Sequence, residues 1–467
     1  MKSTKRLITI SALLAMGITL VGCKGNGGKD SNYVPFSGDP TKLDCTVTFW
    51  HTMGQANQEK LNRMIEGFNE KYPNIKIEHA AQGGYDDIKE KLSAAIPAGT
   101  TPTMAYCYPD HVAEYMSAGA VERMDGYVED KIIGLSKEEW DSAGGVDDFV
   151  QGFWQEGKEY GSEFGVEGGL YSVPFSKSTE VLFYNKEFFE TNNFQVPTTW
   201  TEMEELMPKI AALTYTSGSE TKNYVPLGYD SDANMLITMF EQEGIPYTSA
   251  DPEDHYLFNN DRAKALVTKL KGWYDKGYII TSGSSANNSY TSNMFTGQAD
   301  PHIVMSIGST GGTSYNYADG FTTGVAPIPG GTLNNHVISQ GPSICFFSRA
   351  TATEKYAAWL FYKWISNTDN SAIYSVLTGY SPVRKSSFEC EIFENYMKEE
   401  KTGKDKLIQT TLGFNQSLTD RYFTSPAFKG SSTARKEMDG IVANVFLGTK
   451  SIDRAFDDAL TNCLFAG

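Results

Sequence analysis

The sequence predicts an α/β protein built from more than one domain, on three observations. Apolar β-favouring runs alternate with helical periodicity over the first part of the body, in the order β-α-β-α-β, which implies a parallel sheet covered by helices on both faces. The chain has 467 residues, long enough for two or three domains. Val181 to Tyr184 is a short apolar run behind Pro174, Ser176, Ser178 and Thr179. The residues alone leave that stretch open between two readings. It is an ordinary core strand after a polar turn, or a strand that passes between two lobes and lines their gap with hydroxyls.

The N-terminus is read as a targeting segment. Lys2, Lys5 and Arg6 precede an apolar run from Leu7 to Val21, which is short for a membrane span. Leu20-Val21-Gly22-Cys23 resembles the lipobox of bacterial lipoproteins, in which Cys23 would be lipidated and become the first residue; a plain secretory signal cut elsewhere is the alternative. Residues 1–22 are therefore a lipoprotein signal peptide, and residues 23–44, rich in Gly, Asn, Lys, Asp and Ser, a lipidated Cys and flexible tether. Several acyl chains on one residue anchor a protein stably, where one chain does not.

Loss of residues 1–22 takes the formal charge from −17 to −20, and so acidic a surface disfavours nucleic acid. An anionic ligand would need a local cluster of donors against that field. Five cysteines follow Cys23: Cys45, Cys107, Cys345, Cys390 and Cys463. Their odd number leaves a thiol unpaired, and Cys45, Cys107 and Cys345 sit in apolar runs as core thiols do. No Cys/His spacing suggests a metal, and no cofactor motif is present.

In chain order, Cys45 to Trp50 is a strand, and Leu61, Met64, Ile65 and Phe68 mark a helix that ends at Tyr72-Pro73-Asn74. Ile75 to Ile77 is a strand, Ile88, Leu92 and Ile96 a helix face, and Met104 to Tyr108 the next strand. Ligands of such sheets sit beyond the carboxyl ends of the strands, which selects Trp50, His51 and Asp110. Residues 126–168 are irregular, with Trp140, Phe149 and Trp154 as packing anchors. Thr199 and Thr351 each start a helix with a Glu three residues on, as a capping box requires. Asp230 to Glu241 superficially matches a calcium loop, but Met235 stands where Gly is needed, and the following residues read as buried helix. Asp261 starts a helix that Gly277 ends. Ile303 to Met305 is a strand running into a Gly/Ser loop, Ser306 to Gly312, without P-loop spacing or its Lys. Pro327, Pro329, Gly330 and Gly331 suggest a second crossing between lobes. Ile344 to Phe347 is a strand, Gly379 to Pro382 a turn, and Ser451 caps the last helix.

Six landmarks in order carry a resemblance over nearly all of residues 45–465. They are Phe49-Trp50-His51-Thr52-Met53, Gly84-Tyr85, Pro174-Phe175-Ser176-Lys177-Ser178-Thr179, Leu182 to Lys186, Pro197-Thr198-Thr199-Trp200 and Gly379-Tyr380-Ser381-Pro382-Val383. Together they resemble the extracellular solute-binding proteins of ABC importers, carbohydrate type, and are most similar to the glycerol-3-phosphate, glycerophosphodiester and maltose binders. The resemblance implies a two-lobed periplasmic-binding-protein fold of type II, each lobe a mixed sheet flanked by helices, joined by hinge strands. The lobes would comprise residues 45–180 with 332–365, and 181–331 with 366–467. Ligand contacts implied are Tyr85, Ser178, Ser309, Gly341 and Tyr380; the match at Asp110 is loose, because Pro109 takes the aligned position. Each also admits a plain role, Tyr85 or Tyr380 as surface packing and Ser178 as a turn hydroxyl.

The resemblance thus implies a lipid-anchored monomer on the extracytoplasmic face of the membrane, with a sugar or glycerophosphate ligand and ABC permease subunits as partners. The phosphate-contacting Arg of the glycerophosphate binders has no clear match; Lys429 stands in that region, with Arg421 and Arg435 nearby. That departure favours a neutral sugar. A surface glycoside hydrolase or an adhesin remains as the alternative, although no G-x-S-x-G or H-E-x-x-H occurs.

Overall fold

The computed structural model describes residues 33–135, 144–158, 160 and 168–466. The expected signal peptide, Cys23 and Trp140 lie outside the described residues. The sequence order builds the first sheet directly: β1 (Cys45–His51), helix α1 (Gln55–Lys71), β2 (Ile75–Ala81), α2 (Tyr85–Ala98), β3 (Met104–Cys107) and α3 (Pro109–Ser117). β1 pairs in parallel with both β2 and β3. The sheet is then completed by two antiparallel neighbours, the strand Ser343–Phe346 and β4 (Val173–Pro174), so it is mixed. Leu61, Met64, Ile65 and Phe68, the α1 stripe read from the sequence, are all buried on this sheet's core.

The second sheet is also mixed, in the order Thr323–Pro327, β5 (Glu180–Asn185), Ile303–Ser309, Val225–Tyr229, Ile279–Thr281. β5 runs antiparallel to both its neighbours, whereas the last three strands are parallel. Around it Leu182, Leu227, Met239, Val304 and Ile441 belong to a separate core. A third cluster, with Val181, Phe183, Ile303 and Val325, packs on the same second sheet, so each five-stranded sheet carries its own cores and makes one of two lobes.

Three segments cross between them. The first joins β4 to β5 through residues 175–179, where Lys177 bridges Ser381 and Ser178 bridges Gln340, so the polar stretch before Val181 is the inter-lobe crossing, leading into the buried strand β5. The second is Val337 to Ser343, some ten residues past the Pro/Gly run that the sequence suggested; Gly330 instead pairs with Thr199 inside the second lobe. The physical reason is Gly341, at φ +83°, where a Cβ would stand 1.9 Å from the Ser176 carbonyl oxygen. Only glycine lets the two crossing backbones approach so closely, and Ser178 and Gln340 exchange backbone hydrogen bonds of 2.9 and 2.8 Å there. The third segment, Tyr422–Phe423, pairs in parallel with Val337–Ile338 and was not read from the sequence.

Two further expectations are corrected. Residues 366–398, expected in the second lobe, pack on the first: Ala372, Tyr374, Phe388 and Phe393 all lie in its core. Lys60 of α1 donates to the Leu377 carbonyl at 2.7 Å, tying the helix Thr368–Thr378 to that lobe. Part of the tether is also fixed. Tyr33 OH and Phe36 N donate to Asp130 at 2.9 and 2.8 Å, and the two rings pack edge-on against Tyr356. Polar composition hid these two aromatic anchors.

Candidate functional site

The space between the lobes is a cleft of about 1380 Å³. From the first lobe, α2 opens with Tyr85, whose ring meets that of Tyr108 at 4.4 Å between centroids. Asp110 and His111 follow at the start of α3, where first-turn backbone N–H groups favour an acidic side chain. Tyr380 lies beside Tyr374 with rings 25° apart, and a Cβ on Gly311 of the opposite lobe would come 2.7 Å from the Tyr380 ring. Gly311 thus lets an aromatic face of one lobe approach the backbone of the other.

From the second lobe come Glu180, Asp230, Asn234, Arg435 and Asp439. Glu180 is almost fully buried; Tyr229 OH donates to it at 2.5 Å and Asn234 Nδ2 at 2.8 Å. Burial pushes its carboxyl up to about 8. Burial likewise raises Asp230, which accepts from the backbone N–H and the hydroxyl of Thr291, both at 2.7 Å. Arg435 donates to Asn234 Oδ1, so its guanidinium is held beside these carboxyls. Across the rim, Lys89 of α2 forms an ion pair with Glu114 at 2.9 Å and donates to Ser432 of the second lobe at 2.6 Å.

Of the residues that the sequence selected, Tyr85, Asp110, Ser178, Ser309, Gly341 and Tyr380 all line this one cleft. Trp50 and His51 do not. His51 ends β1 fully buried, its ring bonded to His79 at 2.9 Å, and Trp50 packs against the first core. After β3 the strand end reaches the cleft, but after β1 it does not, because His51 is buried and bonded to His79 of β2. The expected Gly/Ser loop is absent too: the strand continues to Ser309, and Thr310–Asn316 forms a 3-10 helix whose first turn Ser309 Oγ caps by accepting from Gly311 N at 3.1 Å.

Sequence reasoning missed Glu180, Asn234, Asp230 and Asp439. The false calcium pattern at Asp230 to Asn234 was a usable signal, since a run of side-chain acceptors opens the helix Asp232–Glu243 at a strand end. Arg435 was noticed only as a neighbour of Lys429. Among the described residues, no group of three or more His, Cys, Asp or Glu side chains is arranged to hold a metal ion.

Residues 63–401 match the family of bacterial extracellular solute-binding proteins. The chain belongs to that family. The same relationship extends beyond the matched span: the sn-glycerol-3-phosphate-binding periplasmic protein UgpB of Salmonella typhimurium is 23% identical over 428 residues, covering 89% of this chain and 91% of that one. UgpB of Escherichia coli K12 is 22% identical over 427 residues, at 89% and 91% coverage. Two solved structures share the fold of this solute-binding protein. The GacH receptor of Streptomyces glaucescens, solved unliganded and with acarbose, superposes with a TM-score of 0.71 at 19% identity, covering 91% of this chain and 99% of that one. UgpB of Mycobacterium tuberculosis, in complex with glycerophosphocholine, gives 0.69 at 17% identity, with 91% and 98% covered. The two-lobed fold implied by the sequence resemblance stands on the structural neighbours, and the role of an extracellular solute-binding protein stands on the family match. Among the described residues no helix is long and apolar enough to cross a membrane.

Proposed function

We propose that this solute-binding protein captures a neutral carbohydrate between its lobes and delivers it to an ABC permease, without turning it over. The observation that carries this reading is the balance of the cleft lining. Eight acidic side chains, of which Glu180 is held protonated at pH 7 by its burial, stand against three cationic ones, Lys89, Arg435 and Lys436, and two of those are already engaged, Lys89 with Glu114 and Arg435 with Asn234. A free phosphate would enter a net negative field with few uncommitted donors. Sugar hydroxyls, by contrast, suit carboxylates, amides and hydroxyls, and the faces of Tyr85 and Tyr380 suit an apolar ring face. Because the contacts come from both lobes, a bridging ligand binds the closed form better and shifts the hinge equilibrium toward it.

The relatives named for glycerol-3-phosphate support a second reading, a phosphorylated or glycerophosphodiester ligand. A thermal-shift screen of mono- and oligosaccharides alongside glycerol-3-phosphate and glycerophosphocholine separates the two. Stabilisation by sugars alone is expected. A response confined to phosphorylated compounds overturns the preference. A hydrolase or adhesin draws no support from the comparisons.

The anchor belongs to the same proposal. Leu20-Val21-Gly22-Cys23 supports acylation of Cys23 and tethering on the extracytoplasmic face. Cys23→Ala should move the protein from the membrane pellet to the soluble fraction, and retention in the pellet would contradict it.

A further inference from the structure

A second pocket of about 70 Å³ opens behind the cleft and shares four of its residues, Tyr108, Asp110, Gln340 and Arg435. Beyond that shared mouth Pro109, Ile237, Tyr247, Ile338 and Pro426 supply apolar walls, and Thr424, Ser425 and Ser431 add hydroxyls to the lining. Set among them, Ser339 Oγ and Thr248 Oγ1 are buried with no hydrogen-bond partner among the described residues. A buried hydroxyl left unmade costs roughly 1–3 kcal/mol, so two in one pocket call for a ligand group that reaches them. We infer that this pocket is a subsite for a small uncharged substituent of the sugar, of the acetamido type. The inference rests on the carbohydrate reading above.

Size, charge and polarity each narrow the choice. At ~10–15 Å³ for each water-sized site, the pocket holds about five such groups, which admits an acetamido group and excludes a second pyranose ring. Glu156 is paired with buried Lys177, and Asp110 and Arg435 line the same mouth with opposite charges, so neither an ammonium nor a carboxylate substituent finds a net opposite charge. An alkyl group would leave both hydroxyls unpaired, and a hydroxymethyl group would leave the apolar wall uncovered. An acetamido group does both jobs, its carbonyl accepting from a hydroxyl and its methyl packing on Ile237, Ile338 and Pro426.

The test compares matched sugars by calorimetric titration of the intact soluble body: N-acetylglucosamine with glucose and glucosamine, and diacetylchitobiose with cellobiose. The acetamido member of at least one pair is expected to bind about tenfold or more tightly than its partner. Thr248→Leu, which fills the pocket, and Ser339→Ala, which removes a donor, should each shrink that ratio. Ratios near one, with a sugar still bound, overturn the subsite and leave the carbohydrate reading standing. A large ratio unchanged in both variants overturns the placement. If no sugar binds while glycerol-3-phosphate or glycerophosphocholine does, both readings fail together.

Discussion

His51 Nε2 lies 2.9 Å from His79 Nδ1, and the contacts at either end fix which nitrogen carries each proton. Met53 N donates to His51 Nδ1 at 3.1 Å, so His51 carries its proton on Nε2 and donates to His79. His79 in turn carries its proton on Nε2 and donates to Asn62 Oδ1 at 2.8 Å. Both rings must be neutral for this relay from the backbone to Asn62 to hold.

Burial lowers both histidines, His51 from 6.5 to about 4. Above pH 6.5 both folded and unfolded chains are neutral there, and nothing is lost. Below it the unfolded chain takes up protons that the folded one refuses, so stability falls as pH drops from about 6.5 to about 4. For His51 the loss amounts to about 3 kcal/mol at ~1.36 kcal/mol per unit. Urea denaturation at pH 7 and pH 5 should show a drop that shrinks in His51→Gln. An equal drop in the variant would remove the relay as its source.

Gly341→Ala should destabilise the body by more than about 2 kcal/mol, because the added Cβ would meet the Ser176 carbonyl at 1.9 Å in a left-handed backbone. Since the clash lies where the first and second crossings touch, the ligand-induced shift in Tm should also fall. A variant with wild-type Tm would mean that the crossings do not pass so closely.

Lys177 on the first crossing is fully buried, paired with Glu156 and donating to the Gly341 carbonyl at 3.1 Å. Lys177→Met leaves a buried carboxylate without its cation, at a cost of about 3–5 kcal/mol. Adding Glu156→Leu should recover much of that loss. If the double variant is no more stable than the single one, the two side chains do not act as a pair.

Tyr85→Ala and Tyr380→Ala should each weaken the sugar found in the screen by about tenfold, the equivalent of ~1.4 kcal/mol for a lost ring face. Both rings are only partly buried, so the apo protein should lose little stability. Titration and thermal melts of the same variants check this, and parallel loss in both measurements would make these rings packing residues.

The stripe Leu61, Met64, Ile65 and Phe68, the two capping boxes and the apolar strand runs are local signals, and each element they announce is present. Periodicity and caps depend on neighbours three or four residues apart, which a sequence displays. Tyr85, Ser178 and Tyr380 were also legible, through the order of short landmarks. The buried partners were not. Glu180 meets Asn234 from 54 residues away, Arg435 meets Asn234 from 201, and Lys177 meets Glu156 only because a crossing strand passes beneath it. Gly341 looked like any glycine until a second backbone was placed against it. By itself the chain determined its class, its element types and the family of shapes it could join. Which acids face the cleft, where the chain crosses and what the side pocket admits were decided by long-range packing, since burial and charge pairing exist only once distant segments share a volume.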